Sequence, residues 1–337
     1  MNSNTPPINI HLSDPLRVGD PDVVGPLAVF PLFGPEPREE FVSFAQGRKR
    51  GVRLGEDQGG ASVNDLVVQN RTEIPVLLYE GEEVIGAQQN RTFDVTVLVA
   101  AQKQLRVPVS CVEAGRWDHS RHAEDFAPAP QAAYPELRRQ KNRQVREQVL
   151  AGREARATQS AVWEDVASKS ARLGVHSPTD AMHDIYEARR NRLAELSGAV
   201  RLRESQCGAL VAIGSGFVVL DYVGRADVFA DLFAPLVQGY GLDAIELEGE
   251  EASSAPSLTE AEGFVSLVLG TEAARVGSIG LGQDLRFAAD GIAGAGLATD
   301  GGLVQLTAFP DDGSEPGSGP SASSIRRPSH RRRQERR

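Results

Sequence analysis

The sequence is poor in the residues that usually announce a function. It holds 2 Cys, 2 Met and 2 Trp among 337 residues, and Cys111 and Cys207 stand 96 positions apart. That excludes a disulfide framework and any Cys-based zinc signature. Long apolar runs are absent as well. The longest stretch free of charge around an apolar centre, Cys207–Leu220, has fourteen residues and is broken by Gly214-Ser215-Gly216, too short and too interrupted to span a bilayer. The N-terminus, MNSNTPPINIHLSD, lacks the basic and apolar regions of a secretory signal, so the two Asn-x-Thr sequons carry no weight. No P-loop, nucleophile elbow or metalloprotease motif occurs, and Gly277–Gly282 has the wrong spacing for a dinucleotide fingerprint. A soluble, cytoplasmic protein is expected.

Charge is plentiful but uneven. There are 36 Lys+Arg against 46 Asp+Glu, a net −10. The last twelve residues, Arg326–Arg337, carry seven Arg and one Glu, leaving 29 basic and 45 acidic groups and about −16 on the body. Such a body does not coat nucleic acid; the tail alone could touch it weakly, with salt-sensitive affinity.

The spacing of apolar residues points to an α+β fold. Residues 22–113 carry short Val-, Leu- and Ile-rich runs separated by turn residues: Val23–Phe33, Ser62–Val68, Ile74–Tyr79, Phe93–Ala100 and Gln104–Ser110. This is the pattern of a sandwich or barrel-like layer. Glu39–Gln46 could be a helix. The alternation Phe93-Asp94-Val95-Thr96-Val97 predicts a strand with one exposed face. Residues 126–131, with Pro135, read as a linker. Three helices follow: Glu136–Arg156, Ala161–Leu173, and one starting at Ser177-Pro178-Thr179. The rest is mixed. A hairpin is predicted over Gly214–Gly216, helices over Arg225–Gln238 and Leu258–Leu269, and strands over Arg275–Leu281, Gly291–Ala298 and Leu303–Phe309, the last two joined at Asp300-Gly301-Gly302. One domain over residues 15–310 is expected, with a β-rich part (15–125), a helical part (126–205) and a mixed part (206–310). Residues 311–337 have the composition of a disordered Arg-rich tail. The tetrapeptide QNRT occurs at Gln69–Thr72 and Gln89–Thr92, twenty residues apart, and reads either as two equivalent turns of one sheet or as coincidence.

Two stretches concentrate polar chemistry, residues 79–91 (YEGEEVIGAQQNR) and 108–117 (PVSCVEAGRW). Both lie at ends of apolar runs, where a sheet can aim side chains into a pocket. They offer the carboxylates Glu80, Glu82 and Glu113, the amides Gln88, Gln89 and Asn90, the guanidinium groups Arg91 and Arg116, the thiol Cys111 and the indole Trp117. That inventory suits a small anionic ligand: guanidinium forks read phosphate, an indole face stacks a base, and amides read hydroxyls. Glu82 and Glu113 are the acid/base candidates. The competing reading is that these charges pair with one another and fix loops. Cys111, flanked by Val109 and Val112, reads as a buried inert thiol rather than a nucleophile. His119 and His122 have no third His nearby, so no metal is expected. The basic helix Glu136–Arg156 lacks interleaved aromatics and reads as a solvated helix paired with acidic neighbours.

These same stretches resemble the ARG and rhodanese-phosphatase-superfamily-associated protein domain family of bacteria. The resemblance continues through residues 160–166 (SAVWEDV), 177–181 (SPTDA), 206–212 (QCGALVA), 240–244 (YGLDA) and 280–286 (GLGQDLR). It covers roughly residues 15–310. The resemblance implies a setting of ADP-ribosylglycohydrolases and phosphatases, and so of ADP-ribose or related NAD-derived nucleotides. The family pattern falls on Glu82, Gln89, Asn90, Arg91, Cys111, Glu113, Arg116 and Trp117. Where the family tends to place His near the final strand, this chain has Gln305.

The expected function is binding or processing of an ADP-ribose-like phosphorylated nucleotide, with hydrolysis of a glycosidic or phosphoester bond if the protein is an enzyme. Arg91 and Arg116 would grip phosphate, Gln89 and Asn90 would add polar contacts, and Trp117 would stack. The alternative is a non-catalytic scaffold serving ADP-ribose-metabolising partners. No cofactor is called for.

Overall fold

The computed structural model describes residues 8–248 and 254–311, except residues 11, 13, 58 and 61. The chain is α+β, with three sheets and six α-helices among the described residues. None of those helices is long and apolar enough to cross a membrane.

The largest sheet has ten strands, and its strand Gly208–Ile213 shows why its apolar runs do not alternate with polar residues. All six residues of that strand are buried. Ala209, Val211 and Ile213 enter one hydrophobic core, while Leu210 and Ala212 enter another on the opposite face. The adjoining strand Leu27–Phe33 divides in the same way, Leu27 and Val29 against Ala28, Phe30 and Leu32. Period-two geometry therefore feeds two cores at once. The helix Ala226–Glu246 lines the first core and the helix Leu258–Gly270 the second. From Gly208–Ile213 the order runs through Gly216–Val223, Gly302–Pro310, Ile292–Thr299 and Gln283–Ala289 to Glu272–Gly277, all antiparallel. Both predicted hairpins are present. The strand Gln283–Ala289 is absent from the predicted set; its turn-like start, Gly280-Leu281-Gly282, hides it.

The second sheet has six antiparallel strands in the order Ala127–Ala132, Glu82–Ile85, Arg91–Phe93, Lys103–Cys111, Asp65–Asn70, Arg53–Gly55. Two of these overturn a sequence expectation. The predicted linker at 126–131 is an edge strand, because Pro128 and Pro130 are tolerated where one side of the strand has no ladder. The predicted strand Phe93–Ala100 is two, ending at Phe93 in this sheet and resuming as Val97–Val99 in a third. Its supposed exposed face is buried: Asp94 is 3% accessible because Lys141 Nζ, 3.1 Å away, and Ser110 Oγ, at 2.7 Å, compensate it. The third sheet joins Val97–Val99, Val76–Leu78 and Val42–Ser43. The predicted helix Glu39–Gln46 begins later, as Phe44–Lys49, where the Ser43 side chain accepts from the Gln46 N–H.

Helices Pro135–Leu150, Gln159–Arg172 and Met182–Ala199 close the core beneath the six-stranded sheet. The first is not the solvated helix expected from its charges. Arg138 and Lys141 are fully buried, and the guanidinium of Arg138 bonds Asp221 and Glu80 at 2.6 Å each. The helix Ala226–Glu246 overruns its predicted end at Gln238. Gly239, which reads as a stop, instead lets the helix approach the carbonyls of Ala132 and Ala133, each 3.1 Å from where a Cβ would stand.

Candidate functional site

The two polar stretches meet because of strand register. Arg91 opens a three-residue strand and faces Val84 on one neighbour and Cys111 on the other. Directly opposed residues share a face of the sheet, so Arg91 and Cys111 lie side by side. Past Cys111 the chain leaves the sheet and turns back over Arg91. Gln159 holds that exit in place by standing in for a missing strand: its amide accepts from the Cys111 N–H and donates to the Cys111 carbonyl, both at 2.8 Å.

Glu113 is the hub of the returning loop. Its Oε2 accepts from the Asn90 N–H at 3.1 Å and pairs with Arg116 at 2.7 Å, and its Oε1 accepts from the Thr179 hydroxyl at 3.0 Å. The Gln89 amide donates to the Glu113 carbonyl at 3.1 Å. Arg116 also donates to the Ala87 carbonyl at 2.8 Å and to Asn90 Oδ1 at 3.1 Å. Segment Ser177–Ala181 docks tightly here. At Gly115 a Cβ would stand 2.9 Å from Thr179 Cα, so only glycine admits the approach.

Arg91 sits inside this frame with its side chain fully buried. NH1 donates to Gln89 Oε1 at 3.1 Å, but Nε and NH2 have no hydrogen-bond partner among the described residues. Trp117, half-buried, sets its ring 5.7 Å from the guanidinium carbon. On the other side stands Glu56, which the sequence reading missed. Its side chain is also fully buried and is ion-paired with Arg91 NH2 at 3.7 Å, but neither carboxylate oxygen has a hydrogen bond of full geometry among the described residues. Burial raises the Glu56 pKa, with the charges of Arg91 and His122 and the nearby Gln88 N–H opposing the rise. Gln88 Oε1 is likewise unpartnered, while its amide nitrogen contacts His122 Nδ1 at 3.0 Å. Burial lowers the Arg91 pKa against the influence of Cys111 and Glu56.

The remaining candidates divide. Cys111 is buried and unpaired by disulfide; burial pushes its thiol pKa up, with Arg91 opposing. Glu82 stands apart from the Arg91 group. Its Oε2 accepts from the Tyr79 N–H at 2.8 Å, closing the turn between two sheets, and burial raises its pKa to about 8. Glu83, on the opposite face, is held by Gln131 at 2.6 Å and also shifts to about 8, chiefly through burial. His119 packs its ring edge on Trp117. Among the described residues no group of three or more His, Cys, Asp or Glu is placed to hold a metal. The QNRT copies are not equivalent: Asn70 ends a strand and Arg71 is exposed, whereas Asn90 precedes one and Arg91 is buried.

Gln89, Asn90, Arg91, Glu113 and Arg116 thus form a largely buried polar cluster at a strand end of an α+β scaffold. Residues 15–309 match the ARG and Rhodanese-Phosphatase-superfamily-associated Protein domain, and the chain belongs to that family. No curated protein and no solved structure matches it.

Proposed function

We propose that the Arg91 pocket binds an ADP-ribose-like, NAD-derived phosphorylated nucleotide. One observation carries the reading. Five buried polar atoms without partners gather on Glu56, Gln88 and Arg91, where native proteins leave few such atoms unmet. Beside them stands the half-buried indole of Trp117. A ligand oxygen would take the free edge of Arg91, and a base would stack on Trp117. Gln89 and Asn90 orient the pocket. Arg116 frames it from the rim, and phosphate would reach it by replacing its contacts with Asn90 and Glu113. The family's name, which links it to ARG and rhodanese-phosphatase proteins, supports the nucleotide class.

Glu113 is the acid/base candidate nearest the pocket, and hydrolysis of a glycosidic or phosphoester bond is the natural reaction. A second reading has support of its own. Glu113 already accepts three hydrogen bonds or ion pairs, which suits a carboxylate that holds geometry, and so a binding module serving enzymes of ADP-ribose metabolism. A thermal-shift panel of ADP-ribose, NAD, AMP and ribose phosphates, on wild type and Arg116→Ala, tests the site. The expected result is a shift with ADP-ribose that is lost in the variant; no shift with any nucleotide contradicts the reading. Glu113→Gln then separates the two roles, since an enzyme loses turnover and keeps binding.

A further inference from the structure

The unpartnered atoms of the pocket specify more than a charge. Three are acceptors, the two Glu56 oxygens and Gln88 Oε1, and two are donors, Arg91 Nε and NH2. All five are buried, and the 3.7 Å separation of Glu56 from Arg91 NH2 is too long for a direct hydrogen bond. An ion pair at that distance, with hydrogen-bonding positions still open on both partners, is completed by a group beside it that hydrogen-bonds in both directions. Inorganic phosphate supplies mainly acceptors and leaves Glu56 and Gln88 unmet. An ammonium group supplies only donors and leaves Arg91 unmet. A pair of neighbouring hydroxyls supplies both, because each O–H donates and each oxygen accepts.

We infer that Glu56 and Gln88, with Arg91, form a subsite for the vicinal hydroxyl pair of a sugar. Glu56 is then the specificity-determining residue of the pocket: its carboxylate accepts from the two hydroxyls while Arg91 donates to their oxygens. Gln88 sets the edge of the subsite, and the contact of its amide with His122 fixes which way its carbonyl points. The strap Ala114–Glu124 covers the subsite. It is tied down there by the Asp118 N–H on the Gln88 carbonyl at 3.2 Å and by Trp117 over Arg91, so the sugar enters when the strap lifts. This assignment rests on the nucleotide reading of the same pocket.

Calorimetric titration of the full-length protein separates the two claims. The probes are AMP and 2′-deoxy-AMP, ribose 5-phosphate and 2-deoxyribose 5-phosphate, free D-ribose, and inorganic phosphate. The expected result is that the hydroxyl-intact member of at least one pair binds about tenfold or more tighter, the loss of a hydrogen bond to a charged acceptor. Glu56→Gln and Gln88→Leu should each narrow that gap to within about threefold. If either variant fails to fold, the wild-type gap decides alone. Equal binding of both members of each pair overturns the hydroxyl subsite and leaves the nucleotide reading standing. Free D-ribose binding as tightly as AMP supports the subsite and overturns the nucleotide reading. No binding by any probe means that the five atoms hold water only, and overturns both.

Discussion

Two arginines, Arg91 and Arg138, lie fully buried among the described residues, and their surroundings are opposites. Arg138 uses every nitrogen: Nε and NH2 meet Glu80, NH1 and NH2 meet Asp221, and Asp221 accepts in turn from the Tyr79 and Tyr240 hydroxyls at 2.6 Å each. Burial alone would raise the Asp221 pKa, but the Arg138 charge and these hydrogen bonds hold it below the usual carboxylate range. Arg91 hydrogen-bonds through one nitrogen of three, and Glu56 meets it only as an ion pair at 3.7 Å. A buried charge costs several kcal/mol unless its partners compensate. A cluster that meets that cost in full is an anchor. One that leaves it partly unmet is where the proposed ligand would complete it.

Breaking the anchor should have the largest effect. Arg138→Met leaves Asp221 and Glu80 buried without their cation and should cost about 3–5 kcal/mol in urea denaturation; a loss below about 1 kcal/mol would remove the distinction. Next comes pH. Glu83, with one oxygen unpartnered, has its pKa raised from 4.5 to about 8. The native state therefore holds a proton that the unfolded chain releases above pH 4.5, so this group's contribution to stability falls as pH rises and levels off above about 8. Glu83→Gln should remove a slope of up to about 1.4 kcal/mol per pH unit across that window, read as the difference between wild-type and variant stability curves. Asp221, shifted the other way, loses its contribution as pH falls.

Arg91→Met comes third. It removes the cation from one buried carboxylate, Glu56, which its raised pKa lets take up a proton, so the stability cost should stay below that of Arg138→Met, yet the ADP-ribose thermal shift should vanish. A cost matching that of Arg138→Met would make both clusters anchors. The smallest effect belongs to the other QNRT copy: Arg71, whose exposed side chain bonds Gln69, should change stability by about 0.5 kcal/mol or less as Arg71→Ala and leave ligand binding unaltered.

Much of the fold was legible because it follows local rules. The hairpin at Gly214–Gly216 and the turn at Asp300–Gly302 announce themselves through turn residues, and the helix Pro135–Leu150 through the proline at its start. What escaped depended on partners distant in sequence. Pro128 and Pro130 suggest a linker until an edge position in a sheet is available, and Arg138 and Lys141 look solvated until Asp221 and Asp94 are brought to them. The site shows the same division. Both motif stretches could be read, and register joins Arg91 to Cys111. Glu56 could not be read, since it lies outside both stretches among ordinary loop residues, and only the fold sets it against Arg91. Glu82 looked equal to Glu113 on paper; period-two geometry and the Tyr79 turn carry it elsewhere.

The most direct test of the contrast between the two arginines is a crystal structure of the full-length protein grown with ADP-ribose, at a resolution that shows ordered water. The account predicts ligand density at Arg91, between Glu56 and Trp117, with the Arg138 cluster unchanged. Water alone around Glu56, Gln88 and Arg91, with the ligand elsewhere or absent, would contradict it.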